Sequence, residues 1–282
     1  MERIAELDAE LLEGPLWHPD AGALFWFDIP SGRLFRQDWG RASTHVVATA
    51  GCIGGATLQT DGSLLLLGAA CRLFRFDVGT GDLDEIAGPI DGESRFNDAT
   101  ADPAGRVLTG TVVRGDWQTG EPGRLWRIDT DGSRTILAEG YRCPNGMAAN
   151  DDWSTLWITS STEGRIYRFG YDVGTGGLGR RAVAHEAVGQ TPDGMTRCVD
   201  GTLWSACFDR GVVQCIRPAD GRVVHTIDTP ADTITSCCFA GPDLDTLVMT
   251  GKRDVWRTVI QRGGEPVRGQ PEQRSAVLLT TA

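Results

Sequence analysis

The chain has 282 residues, enough for one large or two modest domains, and its 27 basic and 38 acidic side chains give a net charge of −11. That sign opposes a phosphate backbone and excludes nucleic acid as an expected partner. The acidic stretch to Leu12 and the lack of any run of about eighteen apolar residues exclude a membrane span, so the sequence reads as a cytoplasmic protein.

In chain order, a turn rich in Asp, Gly and Pro followed by a short apolar run appears six times: HPDAGALFWF, QTDGSLLLL, DPAGRVLTG, NDDWSTLWI, CVDGTLWSA and GPDLDTLVM. The first apolar residues, Leu24, Leu64, Val107, Leu156, Leu203 and Leu247, lie 40, 43, 49, 47 and 44 residues apart. A period of that size marks a small supersecondary unit. A second strand signal follows in Arg33–Arg36, Arg72–Phe76, Arg124–Ile128 and Arg165–Phe169, where Arg alternates with Leu, Phe, Trp or Tyr, with weaker copies at Val212–Ile216 and Val255–Ile260. Glycine-rich turns come after, and no window of helical length carries an uninterrupted apolar stripe.

The fold class is therefore all-β, a six-bladed β-propeller formed by residues 1–282 as one domain. The segment before Glu13 is expected to lend a strand to the last blade, whose polar stretch Gln261–Arg274 matches the repeat poorly. The eight cysteines (52, 71, 143, 198, 207, 215, 237 and 238) show no two-residue pairing and read as reduced, buried thiols.

Four side chains share one place in the repeat. Glu13 stands 11 residues before Leu24, Asn97 10 before Val107, Asn145 11 before Leu156 and Asp193 10 before Leu203. Equal register implies equal depth, so blades one, three, four and five would bring these side chains to one mouth of the axis. Blades two and six offer Ile53–Gly54 and Ser236 instead. Two carboxylates and two amides confined together call for a cation, and oxygen donors suit one divalent metal such as calcium, magnesium or manganese, with zinc and Fe(II) also able to accept carboxylates. Taken singly, Asn145-Gly146 and Asp193-Gly194 are ordinary turn dipeptides, Asn97-Asp98 reads as an Asx turn, and Arg95 as a solvated strand arginine. The shared register is what favours a site.

The motifs EGPLWHPD, RFNDATADPAGR, CPNGMAAN, TPDGM with GTLWSA, and FAGPDLDTL resemble, in order, those of the SMP-30/gluconolactonase/luciferin-regenerating (regucalcin-like) family. The resemblance implies a six-bladed propeller with one divalent cation, held by Glu13, Asn145 and Asp193, and substrate contacts from Arg95 and Asn97. It implies a metal-dependent lactonase acting on a small-molecule sugar lactone, as a monomer or weak homo-oligomer. Asp193 would serve as both ligand and proton acceptor. No Gly-x-Ser-x-Gly elbow points to a covalent serine route. The chain departs from the family at Leu12, at Thr159-Ser160-Ser161, at Val113-Arg114-Gly115 and from Lys252 onward. A non-catalytic calcium-binding propeller, a scaffold for a protein partner and a hydrolase of another ester remain the competing readings.

Overall fold

A computed structural model describes residues 1–112 and 121–279. Six antiparallel four-stranded sheets are arranged as a β-propeller, and a single short 3-10 turn, Ser161–Glu163, is the helical structure among the described residues. The innermost strands run from Leu12–His18, Ile53–Leu58, Arg95–Ala101, Pro144–Ala149 and Pro192–Arg197 to Ser236–Ala240. Each touches the next, and the sixth touches the first, so the ring is closed.

The apolar runs that mark the period form the second strand of each blade. They are buried on both faces, because each sheet is sandwiched between two neighbours. In Ala23–Asp28 every residue is buried, and Phe25, Trp26 and Phe27 are at most 1% exposed. Burial contributes roughly 1.5–3 kcal/mol for each such side chain. Two arginines of the third strand of blade one lie over aromatic rings: Arg33 stands 5.5 Å from the Phe35 ring centre and Arg36 stands 5.8 Å from that of Phe25.

Closure comes from the N-terminal side, as the sequence suggests. Glu2–Glu6 pairs antiparallel with Asp254–Val259 and completes the sixth blade as its outer strand. The polar stretch after it does not belong to a blade. Residues Gln261–Arg262 and Glu265–Pro266 make a small hairpin, and residues 267–279 then run as a strap over the far end of the channel. The amide of Gln270 donates to the Arg197 carbonyl on blade five at 2.9 Å. Further along, the amide of Ser275 donates to Leu58 O on blade two at 2.7 Å, and those of Ala276 and Leu278 donate to Gly105 O and Thr130 O on blade three, each at 2.8 Å. Val277, within this strap, is fully buried.

All eight cysteines are free, and six of them are buried, in agreement with the reading of reduced thiols.

Candidate functional site at the near mouth

Glu13, Asn97, Asn145 and Asp193 fall within the first three residues of the inner strands of blades one, three, four and five. They lie on the strands themselves, slightly deeper than the loops leading into them. Register shifts lie at Glu13/Leu16, Phe96/Ala99, Asn145/Met147 and Pro192/Met195, blade two shifts likewise at Ile53/Gly55, and the inner strand of blade six pairs regularly. Bulges at those places bend the strand and re-aim the side chains at or beside them, as they do next to many active sites.

Two dipeptides that sequence alone assigns to turns are in strands. A Cβ on Gly146 would lie 2.5 Å from Met195 N and 2.6 Å from Asp193 O, and one on Gly194 would lie 2.0 Å from Ser236 Oγ. Glycine is required there because neighbouring inner strands meet around a narrow axis. Asp98 is likewise within a strand and not an Asx turn, its carboxylate accepting from the amide of the next residue, Ala99, at 2.8 Å.

The four side chains are between 4% and 7% exposed and face one cavity, which Arg95, Cys143 and Ser161 also line. Asn145 Nδ2 donates to Asp193 Oδ1 in a short contact and lies 3.3 Å from Ser161 Oγ. Asn97 Nδ2 donates to Pro144 O at 2.8 Å, while its Oδ1 accepts from Arg95 Nη1 at 2.5 Å. Arg95 is thus not a solvated strand arginine. It is half-buried and pinned against the site, with a further bond to Phe96 O at 3.0 Å. The Glu13 carboxylate accepts from the Gly14 amide at 2.5 Å and from the Ser236 hydroxyl.

These carboxyl groups lack compensating charge. Burial and the nearby Asp98 push Glu13 up to about 8, and burial, Glu13 and Asp98 push Asp193 well above the usual carboxylate range. Burial raises Asp98 itself to about 6. Arg95 offsets these shifts only in part, and Asn97 already engages its guanidinium. Among the described residues no three His, Cys, Asp or Glu side chains form a cage for an ion. A cation here would need the Asn145 amide as well as Glu13 and Asp193. That set of under-compensated, oxygen-bearing groups fits a hard divalent ion. The histidines stand apart: His18 and His185 are buried and bonded to the carbonyls of Gly62 and Gly221.

Sequence reasoning passed over three participants. Ser161 follows the second strand of blade four and is 3% exposed, with its hydroxyl between Asn145 and the Cys143 thiol. Ser236 holds the blade-six place in the register, and it bonds Glu13. Glu272, on the strap, projects into the axial lumen below Asp98. Only the repeat register could have found Ser236, and nothing local marks Glu272. Of the family departures, Leu12 is fully buried and its carbonyl accepts from Thr235 Oγ1 at 2.7 Å, and Ser160 donates to Arg142 O at 3.1 Å. Val113-Arg114-Gly115 lies outside the described residues.

The closed ring of six blades gathers polar side chains at one mouth of its axis. The chain belongs to the family described as SMP-30/Gluconolactonase/LRE-like region, which matches residues 11–253. It is 40% identical over 250 residues to the pentonolactonase of Haloferax volcanii, covering 88% of this chain and 84% of that one. It is 28% identical over 248 residues to the regucalcin of Xenopus laevis, covering 86% and 83%. Among solved structures, a luciferin-regenerating enzyme superposes with a TM-score of 0.85 at 20% identity, over 97% of this chain and 99% of that one. No helix among the described residues is long and apolar enough to cross a membrane.

Proposed function

We propose that the protein, acting as one propeller domain, is a metal-dependent lactonase that opens a sugar lactone to its sugar acid. The observation that carries this reading is the convergence of Glu13, Asn145 and Asp193 beside the bonded pair Arg95–Asn97. The lactonase relative at 40% identity supports the substrate class.

Glu13, Asn145 and Asp193 would hold one divalent cation, which when bound supplies Lewis acidity to a carbonyl oxygen and restores both carboxyl groups to their ionised form. The remaining chemistry belongs to the chain. Arg95 and Asn97 bind substrate hydroxyls and so turn binding into orientation. Asp193 Oδ accepts a proton from the water that adds to the carbonyl carbon. It returns that proton to the ring oxygen as the acyl C–O bond breaks.

The test is hydrolysis of gluconolactone, xylonolactone and arabinonolactone, corrected for spontaneous opening, before and after chelation, together with the metal content of the dialysed protein. Turnover lost on chelation and restored by a divalent ion is the expected result. Equal rates with chelator refute the metal role. Stoichiometric calcium without turnover of any lactone identifies instead a calcium-binding protein using the same donors.

A further inference from the structure

Blade six gives the near-mouth cluster no ligand, yet it stands between the two blades that carry its carboxylates, blade one with Glu13 and blade five with Asp193. Asn145 reaches Asp193 directly. Glu13 reaches neither: among the described residues its carboxylate bonds to the Gly14 amide and the Ser236 hydroxyl. The short way around the ring from Glu13 to Asp193 therefore runs through blade six, and there one buried residue bonds to both sides. Thr235 donates its hydroxyl hydrogen to the carbonyl of Leu12, the residue before Glu13, at 2.7 Å, closer than the 3.1 Å to Thr250 O. Its own carbonyl accepts from the amide of Gly194, the residue after Asp193, at 2.8 Å. Thr250 holds Thr235 in turn: their hydroxyl oxygens lie 2.8 Å apart, and the Thr235 amide donates to Thr250 O at 2.9 Å. Buried bonds of this kind fix positions, because breaking one leaves a polar group unpaired.

We infer that Thr235 is a positioning residue: bonded to blade one and blade five at once, it fixes the spacing of Glu13 and Asp193 and so lets the site hold an ion as small as magnesium. The inference rests on the metal reading above. Magnesium demands near-ideal octahedral donors at about 2.0–2.1 Å, whereas calcium accepts an irregular shell at about 2.3–2.6 Å. The same small displacement of one carboxylate relative to the other therefore costs the smaller ion more. Ser236 steadies the Glu13 side chain, and Thr235 steadies the strand that carries it.

The experiment measures calcium and magnesium affinities by calorimetry on metal-free wild type, Thr235→Val, Thr235→Ser and Thr250→Val. Thr235→Val keeps the shape of the side chain, cuts the tie to Leu12 and leaves the tie to Gly194. It is expected to weaken magnesium by about 10- to 100-fold and calcium by about threefold or less. Thr235→Ser, which keeps the hydroxyl, is expected to retain both affinities. Thr250→Val, which removes the hydroxyl that holds Thr235, is expected to shift the ratio in the same direction by a smaller factor, and it decides the matter if Thr235→Val does not fold. An unchanged ratio, whether both ions weaken alike or neither does, overturns the role of Thr235, as does a wild type that binds calcium and not magnesium; the metal reading survives either result. A wild type that binds neither ion removes both.

Discussion

The two mouths of the channel are built from the same six inner strands and reach opposite states. At the near mouth, bulged strand beginnings aim Glu13, Asn145 and Asp193 at one another and leave the carboxyl groups without enough positive charge. At the far mouth, the strap of residues 267–279 meets the turns of blades two, three and five and satisfies their backbone groups one by one. One end stores unfavourable electrostatics and the other is closed by ordinary hydrogen bonds and a buried valine. Stability and chemistry are thereby separated along the axis, and a change at one end should leave the other nearly untouched.

The largest effect expected is at the near mouth. Asp193→Ala should lower kcat/KM for the best lactone by about a thousandfold or more, since it removes a donor and the proton acceptor together. The melting temperature of its metal-free form should match or exceed that of the metal-free wild type, because a repelling carboxylate is gone. A large drop in stability would break the separation. Ser161→Ala should weaken divalent-ion affinity by about 10- to 100-fold in calorimetry, as loss of a ligand's hydrogen-bond partner commonly does, with Ser161→Thr retaining it. At the far mouth, Val277→Ala should cost about 2 kcal/mol in denaturant unfolding and leave lactone turnover unchanged well below the transition.

The smallest effect is a pH dependence. Desolvation and the charge of Asp98 push Glu272 up to about 7, although the residue keeps substantial solvent exposure. A carboxyl raised in the folded state contributes stability that is full below its unfolded value near 4.5 and is lost as pH rises through about 7. Glu272→Gln should therefore raise the melting temperature at pH 8.5 and leave it unaltered at pH 4, measured by calorimetry on metal-free protein. Equal shifts at both pH values would show that the gain is packing and not charge.

The repeat was legible because each blade must bury the same strand between two neighbours, which imposes an even spacing of Leu24, Leu64, Val107, Leu156, Leu203 and Leu247. That spacing also carried the register of Glu13, Asn97, Asn145 and Asp193. Local chemistry misled where ring geometry overrode it: Gly146 and Gly194 serve close approach of strands, and Asp98 faces the lumen from within a strand. The strap was illegible for a different reason. Its polar residues follow no period, and their partners, such as Arg197, Gln59 and Gly105, are fixed by the assembled ring and by nothing nearby in sequence.

The pairing of Glu2–Glu6 with Asp254–Val259 has a consequence for how the molecule comes into being. Glu2 sits opposite Arg257, so some of the chain's earliest residues must wait for nearly its last before they find a partner. Until then the first blade lacks its neighbour on one side, and an unpaired strand edge is open to other copies. Circularisation is accordingly expected to be the late, slow step of folding, and crowded nascent chains are where this protein would be most prone to aggregate.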